Sequence, residues 1–222
     1  LALPLMNSGN YEETIETLTR GLRLRAEDTK AEIISDVYTQ KGDCYYEMGK
    51  HEEAFLQYDS ALVYNKDNVL CLNNYAYFLS LRNEQLDKAL AMSSLAIVLE
   101  ADNYNYIDTY AWVLHCLGRN DEAKRYMRQA LMLSQHGEAS LLAHYGDILW
   151  ALGERFMAET YWQKAIDAGY DADEMAELDK KTKAPKTNAD GSYKAKTSHT
   201  LNPVPCIVYD NTSAKEHYSV KL

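Results

Sequence analysis

The sequence has no apolar run approaching the roughly 20 residues that a membrane-spanning helix needs, and its opening Leu1-Ala-Leu-Pro-Leu-Met6 is too short for a signal peptide. Four cysteines, Cys44, Cys71, Cys116 and Cys206, form no C-x-x-C pair, and no histidine stands at zinc-finger spacing from them. They read as unpaired thiols, which fits a reducing, cytoplasmic compartment, although a low-cysteine repeat protein also fits a periplasm or a lipoprotein whose N-terminal signal lies upstream. The ten glycines make no phosphate-cradling loop. An excess of basic charge is missing too: residues 173–222 carry eight Lys/Arg and seven Asp/Glu, leaving fifteen basic and twenty-six acidic side chains in residues 1–172. Such a surface repels phosphate and lacks the footprint of a nucleic-acid binder, whereas basic or neutral polypeptides fit it. The chain opens on Leu1 instead of Met, which reads as a piece whose N-terminus, with any address it carried, is missing.

What is present is a period. Small residues recur in two parallel series, Ala54, Ala89, Ala123, Ala158 and Ala61, Ala96, Ala130, Ala165, with steps of 35, 34 and 35 in both. Gly49, Gly118 and Gly153 keep the same beat, each five residues before an alanine of the first series. Within each period apolar residues recur three and four apart on both sides of a short polar turn, the pattern of two amphipathic helices. Leu142, Tyr145, Gly146 and Leu149 give a first helix, and Ala158, Trp162, Ala165 and Ile166 a second, with Gly153-Glu-Arg155 between them. Small residues at fixed offsets let paired helices approach closely while large ones fill the space between neighbours.

These residues resemble the tetratricopeptide repeat family, whose unit is about 34 residues. Four units match in register, at 35–68 (Tyr38, Gly42, Tyr45, Ala54, Tyr58, Ala61), 69–103 (Leu72, Tyr75, Ala76, Leu79, Ala89, Ala96), 104–138 (Ile107, Tyr110, Ala111, Leu114, Ala123, Ala130) and 139–172 (Leu142, Gly146, Leu149, Ala158, Trp162, Ala165). A partial unit at 9–28 shows only a second helix, through Tyr11, Leu18, Gly21 and Leu22. The expected fold is all-α, a superhelical helix-turn-helix solenoid over residues 1–172. The proline usual near each repeat's end is missing, Lys41 replaces an apolar residue, and residues 29–34 are extra, which predicts a longer first helix in the second unit. Asn68 and Asn103 stand where helix N-caps are needed.

The resemblance implies a concave groove lined by the first helices and a scaffold that binds a protein or peptide there without catalysis or cofactor. Carrying the family's groove positions over gives Asp36, Thr39, Asp43, Tyr46, Asn73, Tyr77, Asp108, Trp112, His115, Asp147 and Trp150. Carboxylates beside aromatic rings suit an extended segment bearing Lys or Arg. They do not suit the acidic chaperone tails that some family members clamp, because Asp43, Asp108 and Asp147 hold the matching places. Tyr45, Tyr75, Tyr110 and Tyr145 read as interhelical packing, and Trp112 and Trp150 stand between packing and binding. His115 beside Cys116 is no nucleophile and base, since adjacent helical residues point about 100° apart. His51, His136 and His144 stand alone and read as structural or solvent-facing. An open N-terminal edge offers self-association or a capping role within a longer array as an alternative.

After Ala172 the composition changes. Three of the four prolines, Pro185, Pro203 and Pro205, and a Lys/Thr/Asn-rich stretch at 180–196 follow, and Val204-Pro-Cys-Ile-Val-Tyr209 reads as a short strand in an otherwise irregular tail. Ala172-Asp-Glu-Met175, Glu177-Leu-Asp-Lys-Lys181 and Lys196-Thr-Ser-His-Thr-Leu-Asn-Pro-Val-Pro205 resemble the C-terminal part of cofactor-independent phosphoglycerate mutase. That resemblance implies that His199 falls on a metal ligand of the family. Its Asp-His-Gly-Asn co-ligand run is replaced here by Ala168, Gly169, Tyr170 and Asp171, so neither bound metal nor mutase activity is expected. The tail, 173–222, reads as an enzyme fragment joined near 168–172 by gene fusion, rearrangement or an artefact of sequence assembly, and is expected to be flexible or loosely docked.

Overall fold

The computed structural model describes residues 10–135 and 137–169. Among the described residues it is an all-α, tetratricopeptide-type solenoid of nine helices: α1 (Tyr11–Arg23), α2 (Ala31–Glu47), α3 (His51–Tyr64), α4 (Val69–Leu81), α5 (Leu86–Leu99), α6 (Tyr104–Cys116), α7 (Asn120–Leu133), α8 (Ala139–Ala151) and α9 (Arg155–Asp167). The segment read as a strand, 204–209, and the rest of the mutase-like stretch lie outside the described residues. At 17 residues α2 is the longest helix, against 13 for α4, α6 and α8, because the extra residues before Ser35 extend its first turn.

Both alanine series are fully buried, every member at 0% exposure, where a second helix meets the first helices on either side of it. The position facing them on the first helix is Gly42, Ala76, Ala111 and Gly146 in successive repeats, and volume is balanced across the pair. Where the first helix has glycine, the second presents a large ring: a Cβ on Gly42 would lie 2.5 Å from Tyr58, and one on Gly146 2.3 Å from Trp162. Where it has alanine, the second helix carries the smaller Ser93 or Met127 in the ring's place.

Each first helix ends in a left-handed residue that turns the chain back. Gly49, Gly118 and Gly153 have φ of 74°, 75° and 82°, and Asn83 does the same in the remaining repeat at 54°. The next residue's N–H then reaches the carbonyl five residues earlier, as Lys50 to Tyr45 at 2.9 Å and Glu84 to Leu79 at 3.0 Å. At the other turns Asn68 accepts from Cys71 N at 3.1 Å and Asn103 from Asn105 N at 3.2 Å, closing the starts of α4 and α6.

First helices of successive repeats touch one another (α2 with α4, α4 with α6, α6 with α8), whereas second helices meet only the first helices beside them. The first helices therefore lie on the inside of the curve. Asp, Asn, Tyr and Trp side chains on their inner faces reach the surface of this concave side.

Candidate functional site: the inner face of the first helices

The groove is crossed by polar links within and between repeats, each joining a side chain on one first helix to a helix or loop that follows. Asn68 Nδ2 donates to Ser35 Oγ and Asp36 Oδ1, both at 2.9 Å. Asp43 Oδ1 accepts from Tyr58 Oη at 2.6 Å and from Asn74 Nδ2 at 3.0 Å. Burial pushes the Asp43 carboxyl above the usual carboxylate range, and these two donors pull partly against it. Further along, Asp108 faces His144 Nδ1 across the next interface, its two oxygens at 2.9 and 3.2 Å. His144 is 6% exposed and stacks on Trp112 with ring centroids 4.3 Å apart.

Three of the residues read as groove-lining are instead interior. Thr39 is fully buried beneath Asn68, its hydroxyl donating to Ser35 O at 3.0 Å. Trp112 is 1% exposed, enclosed by His144 on one side and His115 at 4.9 Å on the other, so it is packing and not an open platform. His115 is itself buried, its Nδ1 2.6 Å from Asn120 Oδ1 at the start of the following helix. Trp150 is half-buried, but the Arg155 guanidinium lies 3.8 Å from its ring centre and donates to the Trp150 carbonyl, so one face already holds an internal cation. Asp108 retains little exposure because His144 covers it.

The remaining predicted positions reach the surface. Asp36 is exposed, and Asp43, Tyr46, Asn73, Tyr77 and Asp147 are half-buried. Tyr46 stacks on Phe78 of the next repeat at 3.7 Å, and Tyr77 lies 5.8 Å from the same ring. Asn73 Nδ2 donates to Asn74 Oδ1 at 3.3 Å, while its own Oδ1 is a buried acceptor with no hydrogen-bond partner among the described residues. Asn74, Phe78 and His144, which repeat spacing alone does not single out, also stand here. Asn74 and His144 share one register position, two places before the buried small residue of the first helix, which is the signal that would have found them.

Tyr75 and Tyr145 are buried, and Tyr110 and Tyr145 meet Tyr126 and Tyr161 edge-on at 4.8 and 4.6 Å, as packing residues do. Lys41, the polar substitution in α2, lays its stem in the interior with its ammonium 5.5 Å over Tyr38. Burial, and then Arg23, lower its pKa. Cys116 Sγ points to Ser80 O at 3.8 Å and His115 to Asn120, so the pair is turned in different directions. Among the described residues no three His, Cys, Asp or Glu side chains come together as a metal site, and no helix is long and apolar enough to cross a membrane. His136 and His199 lie outside the described residues.

A tetratricopeptide repeat model matches residues 35–68 and 107–136. A TPR repeat-containing protein of Pseudomonas aeruginosa is 25% identical over 143 residues, which are 64% of this chain but only 23% of that protein's length. Among solved structures, PilF of Pseudomonas aeruginosa superposes with a TM-score of 0.65 at 20% identity, covering 80% of this chain and 78% of that one. A thermophilic TPR protein of Thermus thermophilus gives 0.63 at 15% identity, over 82% and 93%. MamA of Desulfovibrio magneticus gives 0.62 at 14% identity, over 78% and 93%. At these identities the structural likeness shows the fold alone. Residues 35–68 and 107–136 thus match tetratricopeptide repeats, and the described residues share the fold of such arrays. The comparisons lend no support to the mutase resemblance of the tail.

Proposed function

We propose that the chain is a non-catalytic scaffold that holds an extended segment of another protein, bearing Lys or Arg, along the inner face of its first helices. Tetratricopeptide repeats generally mediate protein–protein interaction, and the curved stack offers a continuous surface for it. The observation that carries the reading is the recurrence of a polar side chain beside a ring along that face, a carboxylate in two helices of three: Asp43 and Tyr46 on α2, Asn73 and Tyr77 on α4, Asp147 and Trp150 on α8. Half-buried rings contribute apolar area at low entropic cost, and carboxylates favour cations. The binding unit is residues 1–172, with 173–222 a separate segment.

Panning a phage-displayed library of random peptides on the full chain tests this. Enriched sequences should be rich in Lys, Arg and aromatic residues, and their binding should weaken with salt. Asp43→Asn with Asp147→Asn should weaken them about 10-fold, the sum of two partly exposed charge contacts. Enrichment of Asp- and Glu-rich peptides, or indifference to both substitutions, would overturn the reading.

A further inference from the structure

The chain continues past α9, and its charge there comes in two blocks. Residues 170–179 hold five carboxylates and no Lys or Arg, whereas residues 180–196 hold six lysines and a single carboxylate, Asp190. The inner face of the array has the opposite balance to the second block. First helices α2, α4, α6 and α8 carry six carboxylates and one Lys or Arg, Lys41, whose ammonium is turned onto Tyr38. The loops at their two ends add eight carboxylates and six Lys or Arg, of which Arg82 and Arg119 are already paired with Glu84 and Glu122, each at 2.7 Å.

The order of the charges matches as well as their sign. Read back from the C-terminal end of the array, the inner face presents first Arg155, stacked on the Trp150 ring, and then Asp147 about one turn back along α8. The largely covered Asp108 follows on α6, and Asp43 and Asp36 on α2. Helix α9, which the continuing chain must pass, is balanced, with Arg155 and Lys164 against Glu159 and Asp167. An acidic block followed by a basic one therefore meets a cation of the face before it meets the carboxylates. The half-buried rings of Tyr77 and Tyr46 stand along the same path, where a lysine gains a cation–π contact.

The reach is sufficient. Ten residues, 170–179, span at most about 35 Å, longer than the roughly 20 Å of α9, so residue 180 can lie at the inner face of α8. Seventeen residues, 180–196, span at most about 58 Å, against about 30 Å for the three helix spacings from α8 to α2.

Resting on the groove reading above, we propose that the inner face is occupied by the chain's own Lys-rich segment, residues 180–196, which runs along it from α8 toward α2. A Lys-bearing segment of another protein then binds by displacing it.

Carbodiimide coupling of the full chain at about 1 μM, with peptide mapping of the monomeric product, should join lysines of 180–196 to Asp147 and Asp36 in preference to Glu53 and Asp121, exposed on second helices. Replacing Lys180, Lys181, Lys183, Lys186, Lys194 and Lys196 by Gln, with circular dichroism unchanged, should open the face. A labelled peptide copying residues 180–196 should bind that variant about 10-fold more tightly than wild type. A tethered segment with Kd of about 100 μM, at an effective concentration of roughly 1 mM, competes by that factor. Asp147→Asn in the same background should weaken the peptide again. Equal binding of the peptide to wild type and the neutralised chain overturns the proposal, as do couplings spread evenly over the second helices. If panned Lys-rich peptides still bind and still respond to Asp147→Asn in that case, the groove reading stands and only the internal occupant falls. If they do not, both fall.

Discussion

Gly146→Ala is the substitution on which ordinary helix energetics and this fold disagree most clearly. In an exposed helix the change stabilises by about 0.5–1 kcal/mol, since alanine loses less backbone freedom on folding. At position 146 the new methyl would lie 2.3 Å from Cδ1 and 2.4 Å from Nε1 of Trp162, a ring with 0% exposure. Trp162 cannot swing aside, because Trp150 lies 5.1 Å away across the same interface. Overpacking of this kind costs about 1–3 kcal/mol, so the net effect is a loss of up to about 2.5 kcal/mol once the helix gain is subtracted. For an array of this size that lowers Tm by up to roughly 8 °C, and the loss should fall first on α8 and α9, the last helix pair among the described residues. Two controls fix the interpretation. Gly21→Ala, in α1 with nothing within 4 Å of the added carbon, should be stabilising. Adding Trp162→Met to Gly146→Ala recreates the Ala111 and Met127 pair of the preceding repeat and should recover at least half of the loss. Urea unfolding followed by circular dichroism reads all three variants. A Gly146→Ala protein as stable as the Gly21→Ala one would refute the close-approach argument.

Three further outcomes follow from the same geometry. Asn68→Ala removes a helix cap and leaves the buried Ser35 hydroxyl without its donor, so chemical denaturation should show a loss of about 1–2 kcal/mol. Because Asp43 has a raised pKa in the fold, its contribution to stability is complete below the unfolded carboxyl pKa and is lost as pH rises through the folded value. Denaturation curves from about pH 4 to about pH 7 should therefore show the Asp43→Asn protein gaining on wild type with rising pH, while wild type gaining instead would contradict the burial argument. The Cys44 and Cys71 thiols are pushed up to about 11 and about 12 by burial, and Cys116 is 1% exposed. Peptide mapping after iodoacetamide at neutral pH should find these three unmodified until denaturant is added.

The solenoid was legible in the sequence because close helix contact admits only small residues, so Ala54, Ala61 and their equivalents mark each crossing directly. The left-handed turn at Asn83 was less visible, since asparagine tolerates that conformation without glycine's signature. Nor did the period reveal that glycine in a first helix answers a ring in the second, which needs two residues sixteen places apart to be read together. The groove was legible by position but not by accessibility. Register alone assigns Trp112 to the inner face, yet whether that face is open depends on His144, 32 residues later, which lies flat on it. Thr39 is likewise closed over by Asn68 and Trp150 partly by Arg155, contacts set by side-chain reach and not by period.

The central claim, that recognition runs along the first helices, is tested most directly by fluorescence anisotropy of one labelled, Lys-rich peptide from the panned library titrated with three forms of the full chain. Relative to wild type, Asp147→Lys should raise Kd at least about 10-fold, because it reverses a charge on the inner face, while Val98→Lys on the outer face should leave Kd unchanged. Unchanged affinity for Asp147→Lys together with a loss for Val98→Lys would place the binding surface on the wrong side of the array and contradict the account.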